Sequence, residues 1–342
     1  MLSYKSRMEN TIPRASVFLY SVLAICYGLL LSSWPNEYFR DRFSYITYAN
    51  NVDEVADRYN SISLFFNEPL FIYYNSFLRL FFTPEVVPQV GVFFIASTCA
   101  YFILRYAYSY FMILVGFSFL FFISYTFHLQ LIVLRQGIAT ALFLWFIYLF
   151  FEKKYFLVLV FILSFFHSSF FIISAMLIFE KILSVFIKKS KLKIVVFSIA
   201  LLLLGFIILK IAVSLGVRQA EGEYLSSVGS GGGGFILFSF IFIFLYFRGI
   251  DNVEKNRFGK VALLGVISYL AFYFTIPISG RLIGTFLPFY YIYVVSCFNS
   301  KVHFSAYILF IISIILFAAA ITGGSLTYVG VEKFNSILSF LM

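Results

Sequence analysis

The sequence predicts an all-α, polytopic membrane protein that folds as a single integral membrane domain over residues 1–342. Hydrophobic residues make up 62% of the chain and charged residues 12%, whereas soluble domains are about 45–50% apolar and about 25% charged. Apolar runs recur almost to the C-terminus, and the mean hydropathy is +0.97. These observations exclude a disordered chain, a disulfide scaffold and a soluble enzyme with one anchor.

The N-terminal segment predicts an uncleaved signal anchor. Lys5, Arg7 and Arg14 precede an apolar run from Ala15 to Leu31. The run ends in Ser-Ser-Trp-Pro and not in a small-residue cleavage site, so the first span stays attached. Because basic residues favour the cytoplasmic side, the N-terminus is predicted inside, and the net charge of +10 is interpreted as an orientation signal, not as nucleic-acid binding.

Further apolar segments are long enough to cross a membrane, which takes about 20 residues of helix. With the helical hairpin described below, they give about eleven transmembrane helices and a C-terminus outside. The predicted spans are 15–33, 86–104, 107–126, 131–151, 192–216, 235–247, 259–276, 282–298 and 303–321.

Segment 62–82 is apolar but interrupted by polar residues, and charge distribution decides its placement. If it stays outside, within an outer loop over 34–85, then Arg105, Lys153 and Lys154 fall in the cytoplasm. If it crosses the membrane, all three fall outside, against the usual distribution of basic residues. We therefore expect an amphipathic or re-entrant juxtamembrane element, with a crossing as the alternative.

Segment 155–187 predicts a helical hairpin, because lysine clusters at both ends favour the cytoplasm. Its only polar break near the middle runs from Phe166 to Ser169, so the turn is placed there, with His167 in the outer half of the membrane. Irregular backbone at that depth must be covered by protein or line a wet cavity. A second outer loop, the Gly-rich 217–234, is predicted to be a mobile connection.

Cations at membrane depth are the first candidate functional residues. Arg135 stands near the outer end of one span, Arg281 at the outer start of another, and Arg79 and Lys210 also reach the outer side. Guanidinium groups suit phosphate oxygens, so these residues favour binding of a diphosphate. The structural alternatives are snorkelling to lipid headgroups and neutralisation of an arginine by Glu68.

Candidate acid–base residues lie on the same side. Glu68 precedes Pro69 in an aromatic-rich segment, and His167 sits beside two serines at the hairpin turn; either is a candidate base for a substrate hydroxyl, and His167 is alternatively a donor to an anion or a structural residue. Asp41 is expected to remain ionised between two arginines.

No cofactor or metal is predicted. The chain has no Walker loop, dinucleotide fingerprint, GxSxG or HExxH motif. Cys26, Cys99 and Cys297 are isolated in apolar runs without ligand spacing.

Four short motifs carry a resemblance to a known family: Asp41-Arg42-Phe43-Ser44-Tyr45, Asn67-Glu68-Pro69-Leu70-Phe71, Leu134-Arg135-Gln136-Gly137-Ile138-Ala139 and Phe166-His167-Ser168-Ser169. In order and spacing, over roughly residues 35–300, the chain resembles the EpsG-type bacterial polysaccharide polymerases, which are related to O-antigen (Wzy) polymerases.

The resemblance implies a GT-C-like, multi-span glycosyltransferase of the bacterial inner (cytoplasmic) membrane. Its substrates would be undecaprenyl-diphosphate-linked oligosaccharides, polymerised at the periplasmic face into O-antigen or a similar polysaccharide. The lipid bilayer surrounds it, a chain-length regulator and a flippase are candidate partners, and no nucleic acid is expected. The alternatives are a flippase or exporter of lipid-linked sugars, and a membrane acyltransferase or ligase acting on the polysaccharide.

These considerations assign roles to six residues. Arg135, Arg281 and Arg79 are predicted to bind the diphosphate. Glu68 or His167 would take the proton of the acceptor hydroxyl, and Asp41 would position the sugar or the basic partner.

Overall fold

The computed structural model describes residues 14–39, 41–57, 67–214, 232–275, 279–297, 307–315 and 317–318. Every regular element in these ranges is helical, so the all-α prediction is confirmed. Several predicted features lie wholly or partly outside the described residues: the basic N-terminal segment, the centre of loop 34–85, the Gly-rich loop 217–234 as far as residue 231, and the ends of span 303–321.

The α-helices of the described ranges are labelled in chain order. Two short 3-10 helices, Asn36–Tyr38 and Leu163–Phe165, accompany them, and residues 307–315 are also helical. The helices are α1 (Arg14–Ser32), α2 (Arg42–Asn50), α3 (Val52–Asp57), α4 (Pro69–Arg79), α5 (Val86–Tyr106), α6 (Tyr110–Phe122), α7 (Ser124–Leu131), α8 (Leu134–Phe150), α9 (Phe156–Ile162), α10 (Ser169–Phe186), α11 (Ser190–Ser214), α12 (Gly232–Lys255), α13 (Arg257–Phe272) and α14 (Ser279–Ser296).

Several helices have the length and composition of membrane spans. Among the described residues, α5, α10 and the Ser190–Ile207 part of α11 are long and apolar enough to cross a bilayer, and the bent pair α6 and α7 would add a fourth crossing. Shorter apolar helices include Ser16–Ser32, α8 and Gly234–Ile243. The chain is therefore built as a multi-pass membrane protein, while the total of about eleven crossings and the GT-C-like architecture stay predictions.

The predicted continuous span 107–126 is instead a broken element. Helix α6 ends at Phe122, Ile123 is extended, and α7 turns away by 74°. The break releases carbonyl groups of α6, and side chains of α7 satisfy them: the Thr126 hydroxyl donates to the Phe119 carbonyl at 2.9 Å, and the Gln130 amide donates to the Leu120 carbonyl at 2.8 Å. Such replacement of backbone donors is what allows a helix to break inside a membrane.

Helix α14 forms the centre of the bundle. Nearly all of its residues are buried, and it packs against α5, α6, α7, α8, α10 and α13. A helix that is apolar on every side can be enclosed by protein or by lipid, and here it is enclosed by other helices. Close packing with α13 depends on Gly265, because a β-carbon there would overlap the Phe286 side chain.

The segment 155–187 folds as two helices around a turn. Helix α9 continues through the 3-10 helix to Phe165, the chain reverses between Phe166 and Ser168, and α10 begins at Ser169. The two helices pack against each other. The turn therefore places His167 at the amino-terminal end of α10.

The loop segment 34–85 contributes α2, α3 and α4. Helix α4 has 11 residues and is about 16 Å long, too short to cross a hydrocarbon core of about 30 Å. Arg42, fully buried at the start of α2, donates from Nε to the Leu131 carbonyl at 2.8 Å and from Nη1 to the Asn36 Oδ1 at 3.0 Å. These bonds fasten α2 to the end of α7, next to the start of α8.

A charged network joins α10, α11, α12 and α13 at the end of α10 that is remote from the turn. Glu180 pairs through Oε1 with Lys193 at 2.9 Å and through Oε2 with Lys260 at 2.8 Å, and Lys193 also pairs with Glu254 at 2.8 Å. The two carboxylates and two ammonium groups balance each other, so the network itself carries no net charge.

Candidate functional site

Glu68 and Arg135 form an ion pair although 67 residues separate them in sequence. The Arg135 Nη1 lies 2.6 Å from the Glu68 Oε2. The Glu68 side chain is 10% exposed, whereas the Arg135 side chain is 36% exposed. The guanidinium group is thus held by the carboxylate on one side and remains accessible on another.

The backbone at Glu68 is strained in a way that directs its carboxylate. Its φ of 61° and ψ of 53° are left-handed, and it is the only non-glycine residue with positive φ among the described residues. Pro69 then opens α4 with a φ suited to a helix start. The carboxylate Oε1 accepts a hydrogen bond from the Ser168 backbone N–H at 3.1 Å, so each Glu68 oxygen has a partner. Strain of this kind is retained where the surrounding contacts require it.

Aromatic rings surround the Arg135 guanidinium. Its central carbon lies 5.5 Å from the Tyr48 ring centre, 5.7 Å from Phe71 and 6.0 Å from Tyr45. These distances fit cation–π contacts. The rings restrict the orientation of the guanidinium and provide flat apolar surfaces beside it.

The imidazole of His167 is buried behind the ion pair. Only 5% of His167 is exposed. Its Nδ1 lies 2.7 Å from the Ser169 Oγ and accepts a longer bond from the Ser169 backbone N–H at 3.4 Å. The charges of Glu68, Arg135 and Arg281 all act on the ring. We call Glu68, Arg135, His167 and Ser168 the Glu68 cluster.

Gln136 connects this cluster to the central helix. Its Nε2 donates to the Arg281 backbone carbonyl and, at 2.8 Å, to the Thr285 hydroxyl. Arg281 itself is exposed and has no carboxylate partner among the described residues. No described carboxylate therefore neutralises its guanidinium, whose charge acts on His167.

The sequence around Arg135 explains how the start of α8 contacts three different parts of the structure. Successive residues point to different sides of the helix, so Arg135 faces the cluster, Gln136 faces α14 and Gly137 faces α5 and α7. A β-carbon at Gly137 would overlap the Leu129 carbonyl oxygen and the Ile95 side chain. Glycine is required here because the helices approach too closely for any other residue.

The amino-terminal ends of four helices meet at this place. Glu68 is the N-cap of α4 and Ser168 that of α10, while Arg135 and Arg281 lie in the first turns of α8 and α14. The backbone N–H groups of a helix start carry partial positive charge and favour anions. Four such ends and two arginines, offset by one carboxylate, give the site a positive potential.

Two predicted site residues are not members of the Glu68 cluster. Asp41 is the N-cap of α2 and makes no capping hydrogen bond with its side chain. It interacts electrostatically with Tyr45, one of the rings beside Arg135. Arg79 ends α4, where Nη1 donates to the Phe82 carbonyl at 3.0 Å. Eleven residues of helix separate it from Glu68, about 16 Å, so the structure does not bring Arg79 to Arg135.

Comparison with known proteins identifies the family. The model of the EpsG family matches residues 17–336, nearly the whole chain. The chain belongs to the EpsG family. The resemblance drawn from the four motifs is thus confirmed, and proteins of this family are glycosyltransferase-like polysaccharide polymerases. No curated protein and no solved structure matches the chain.

In this EpsG-family chain all four motifs contribute to one site. The first supplies Tyr45, the second Glu68 and Phe71, the third Arg135, and the fourth His167. Across the described ranges, no group of three or more His, Cys, Asp or Glu side chains is placed to hold a metal ion.

Sequence reasoning missed several contributors to the EpsG site. Gln136, the Ser168 backbone N–H and the Ser169 hydroxyl were not singled out, although all three adjoin predicted residues. The available signal was the position of Gln136, a polar amide buried within an apolar helix, which must find a hydrogen-bond partner.

Proposed function

We propose that this protein polymerises undecaprenyl-diphosphate-linked oligosaccharide repeat units by glycosyl transfer at the periplasmic face of the bacterial inner membrane. The observation that supports this most is the meeting of four helix starts at Arg135 and Arg281. Guanidinium groups beside helix starts suit the oxygens of a diphosphate, such as that of a lipid-linked donor. Family membership supports the reaction class.

The diphosphate would be held mainly by Arg281 and the helix starts. Arg281 is exposed, and no carboxylate of the described residues pairs with it. Arg135 shares its charge with Glu68, but its exposed side can still donate to a phosphate oxygen. As the bond from the anomeric carbon to the diphosphate oxygen breaks, negative charge grows on the leaving group, and preorganised donors stabilise it.

The acceptor hydroxyl needs a group that takes its proton. Each Glu68 oxygen has one partner, and an ionised carboxylate has about four acceptor positions, so Glu68 can also accept from an acceptor sugar. The rings of Tyr45 and Tyr48 lie beside it, and aromatic rings of this kind also stack on sugars. We therefore assign Glu68 as the base, with Asp41 as a polar contact for the sugar.

The partners follow from this chemistry. The donor would carry the growing chain, the acceptor would be a repeat unit delivered by a flippase, and a chain-length regulator would limit the product. The aromatic and aliphatic side chains exposed on the outward faces of the helices are suited to the surrounding lipid.

Complementation of a deletion strain with Arg135→Lys tests the proposal. Lysine keeps the charge but loses the planar, multidentate donor, so we expect long polymer to disappear while single repeat units persist at the outer face. The matched control is Arg105→Lys, whose guanidinium contacts Tyr101 and Tyr148 away from the cluster, and which should leave polymer normal. Normal polymer from Arg135→Lys at normal protein level would refute the diphosphate role. If the deletion strain instead accumulates lipid-linked repeat units at the cytoplasmic face of the membrane, the protein is a flippase.

A further inference from the structure

Hydrogen bonding at His167 determines which ring nitrogen carries the proton. The Ser169 backbone N–H donates to Nδ1, and a backbone amide has no alternative to donating. On this basis Nδ1 is the acceptor of both contacts, and the direction of the shorter one, from the Ser169 hydroxyl 2.7 Å away, follows from that tautomer. In a neutral imidazole with Nδ1 accepting, the proton lies on Nε2.

The surroundings hold this arrangement in place. Ser169 is fully buried and His167 nearly so, and the His167 backbone N–H is bonded to the Leu163 carbonyl at 3.0 Å. The charges of Glu68, Arg135 and Arg281 interact with the ring, as does the partial positive charge at the amino-terminal end of α10. Burial of the ring favours the neutral form over the imidazolium, both guanidinium groups and the helix end act in the same direction, and Glu68 opposes them.

Building on the proposed function, we propose that Ser169 is a positioning residue that fixes His167 as an Nε2–H donor to an oxygen of the substrate diphosphate. In the transfer, the acceptor oxygen bonds to the anomeric carbon while the bond from that carbon to the diphosphate oxygen breaks. The electron pair stays on the diphosphate, and the acceptor proton passes to the Glu68 carboxylate. His167 stabilises the departing oxygen through a hydrogen bond and neither loses nor gains a proton.

This assignment separates two roles that a histidine in such a site can have. A base needs a free nitrogen lone pair facing the substrate. Here the lone pair of Nδ1 is used by Ser169, and Nε2 carries a proton, so the neutral ring offers a donor. Glutamine can imitate the Nε2–H donor with its amide but cannot act as a base.

Transfer assays with purified protein and lipid-linked repeat units test the proposal. His167→Gln should keep activity within about tenfold of the natural protein, whereas His167→Leu should lose about 10²–10³-fold, the usual effect of removing one such donor. Ser169→Ala should lower kcat about tenfold with little change in KM. Ser169→Thr keeps the hydroxyl, so its kcat should be close to that of the natural protein. If His167→Gln is as inactive as His167→Leu while both remain folded, the donor role is refuted.

A spectroscopic measurement is independent of activity and of folding losses in the variants. The chain has three histidines, so solid-state NMR of the full-length protein with ring-¹⁵N histidine in bilayers can resolve each tautomer, with His167 assigned from His167→Gln. We expect the Nε2–H form at His167, with a mixture of tautomers in Ser169→Ala, because only the long 3.4 Å bond from the backbone N–H then remains on Nδ1. An Nδ1–H ring in the natural protein would overturn the proposal. If the tautomer is as stated but the natural protein transfers nothing from lipid-linked units, the proposed function fails and the ring assignment stands.

Discussion

Replacing Glu68 by glutamine changes the charge of the carboxylate but hardly its shape. The natural side chain accepts from Arg135 through one oxygen and from the Ser168 backbone N–H through the other. Glutamine has a single acceptor oxygen and an NH₂ group that only donates. One of the two contacts in Glu68→Gln therefore places a donor against a donor, and that contact is lost.

The size of the effect on stability follows from these contacts. A hydrogen bond to a charged group contributes about 1.5–3 kcal/mol when buried. The Arg135 side chain is 36% exposed, so water replaces part of what is lost. We expect the free energy of unfolding to fall by about 1–2 kcal/mol in Glu68→Gln, with a coupling of similar size to Arg135→Gln in a double-mutant cycle.

The expected effect on catalysis is much larger. Removal of a general base typically lowers the rate by about 10²–10⁴-fold, far more than the modest loss of stability would cause. The assay is transfer between purified lipid-linked units, normalised to folded protein measured by size-exclusion chromatography in detergent. Glu54→Gln, an exposed change on α3 in the same loop, is the matched control and should be fully active. Full transfer by Glu68→Gln would refute the assignment of Glu68 as the base.

Two further predictions concern helix packing and an ion-pair network that take no part in the proposed reaction. Gly137→Ala should reduce the free energy of unfolding by about 1–3 kcal/mol through overpacking. The control is Gly91→Ala, where a β-carbon meets only ordinary contacts, and it should be tolerated. If the two variants have the same thermal stability in detergent, α8 does not approach its neighbours as closely at Gly137 as the structure shows. Glu180→Gln should cost about 3 kcal/mol because it leaves Lys260 without its carboxylate, yet activity per folded molecule should not change. Asp251→Asn, an exposed change on α12, serves as its control, and a drop in specific activity for Glu180→Gln would show that the network acts on the reaction.

Much of the fold was predictable from local properties of the chain. Helix length and hydropathy located α1, α5, α8, α11 and the pair α9 and α10, because the cost of leaving a backbone N–H group unpaired in lipid forces each apolar run into a helix. The turn at His167 was predicted because polar residues interrupt an apolar run there.

The break at Ile123 was not predictable in the same way. Ser124, Tyr125 and Thr126 follow the break, but polar residues at the end of segment 107–126 are equally typical of an ordinary span end. The bend is stabilised because Thr126 and Gln130 replace the missing backbone donors to α6 carbonyl groups. That compensation depends on where the side chains of a following helix are placed, and such placement is not a property of the segment itself.

The sequence by itself determined that this protein is an all-helical membrane protein of the EpsG type, and it indicated Glu68, Arg135, His167 and Arg281 as the residues of interest. Only the tertiary structure decided that Glu68 pairs with Arg135, that Arg281 is exposed without a carboxylate partner among the described residues, and that Ser169 contacts the His167 ring. The physical reason is that these helices are apolar on nearly every side. Lipid and protein interior are equally apolar, so hydropathy shows that a segment lies in the membrane but not which face meets its neighbours.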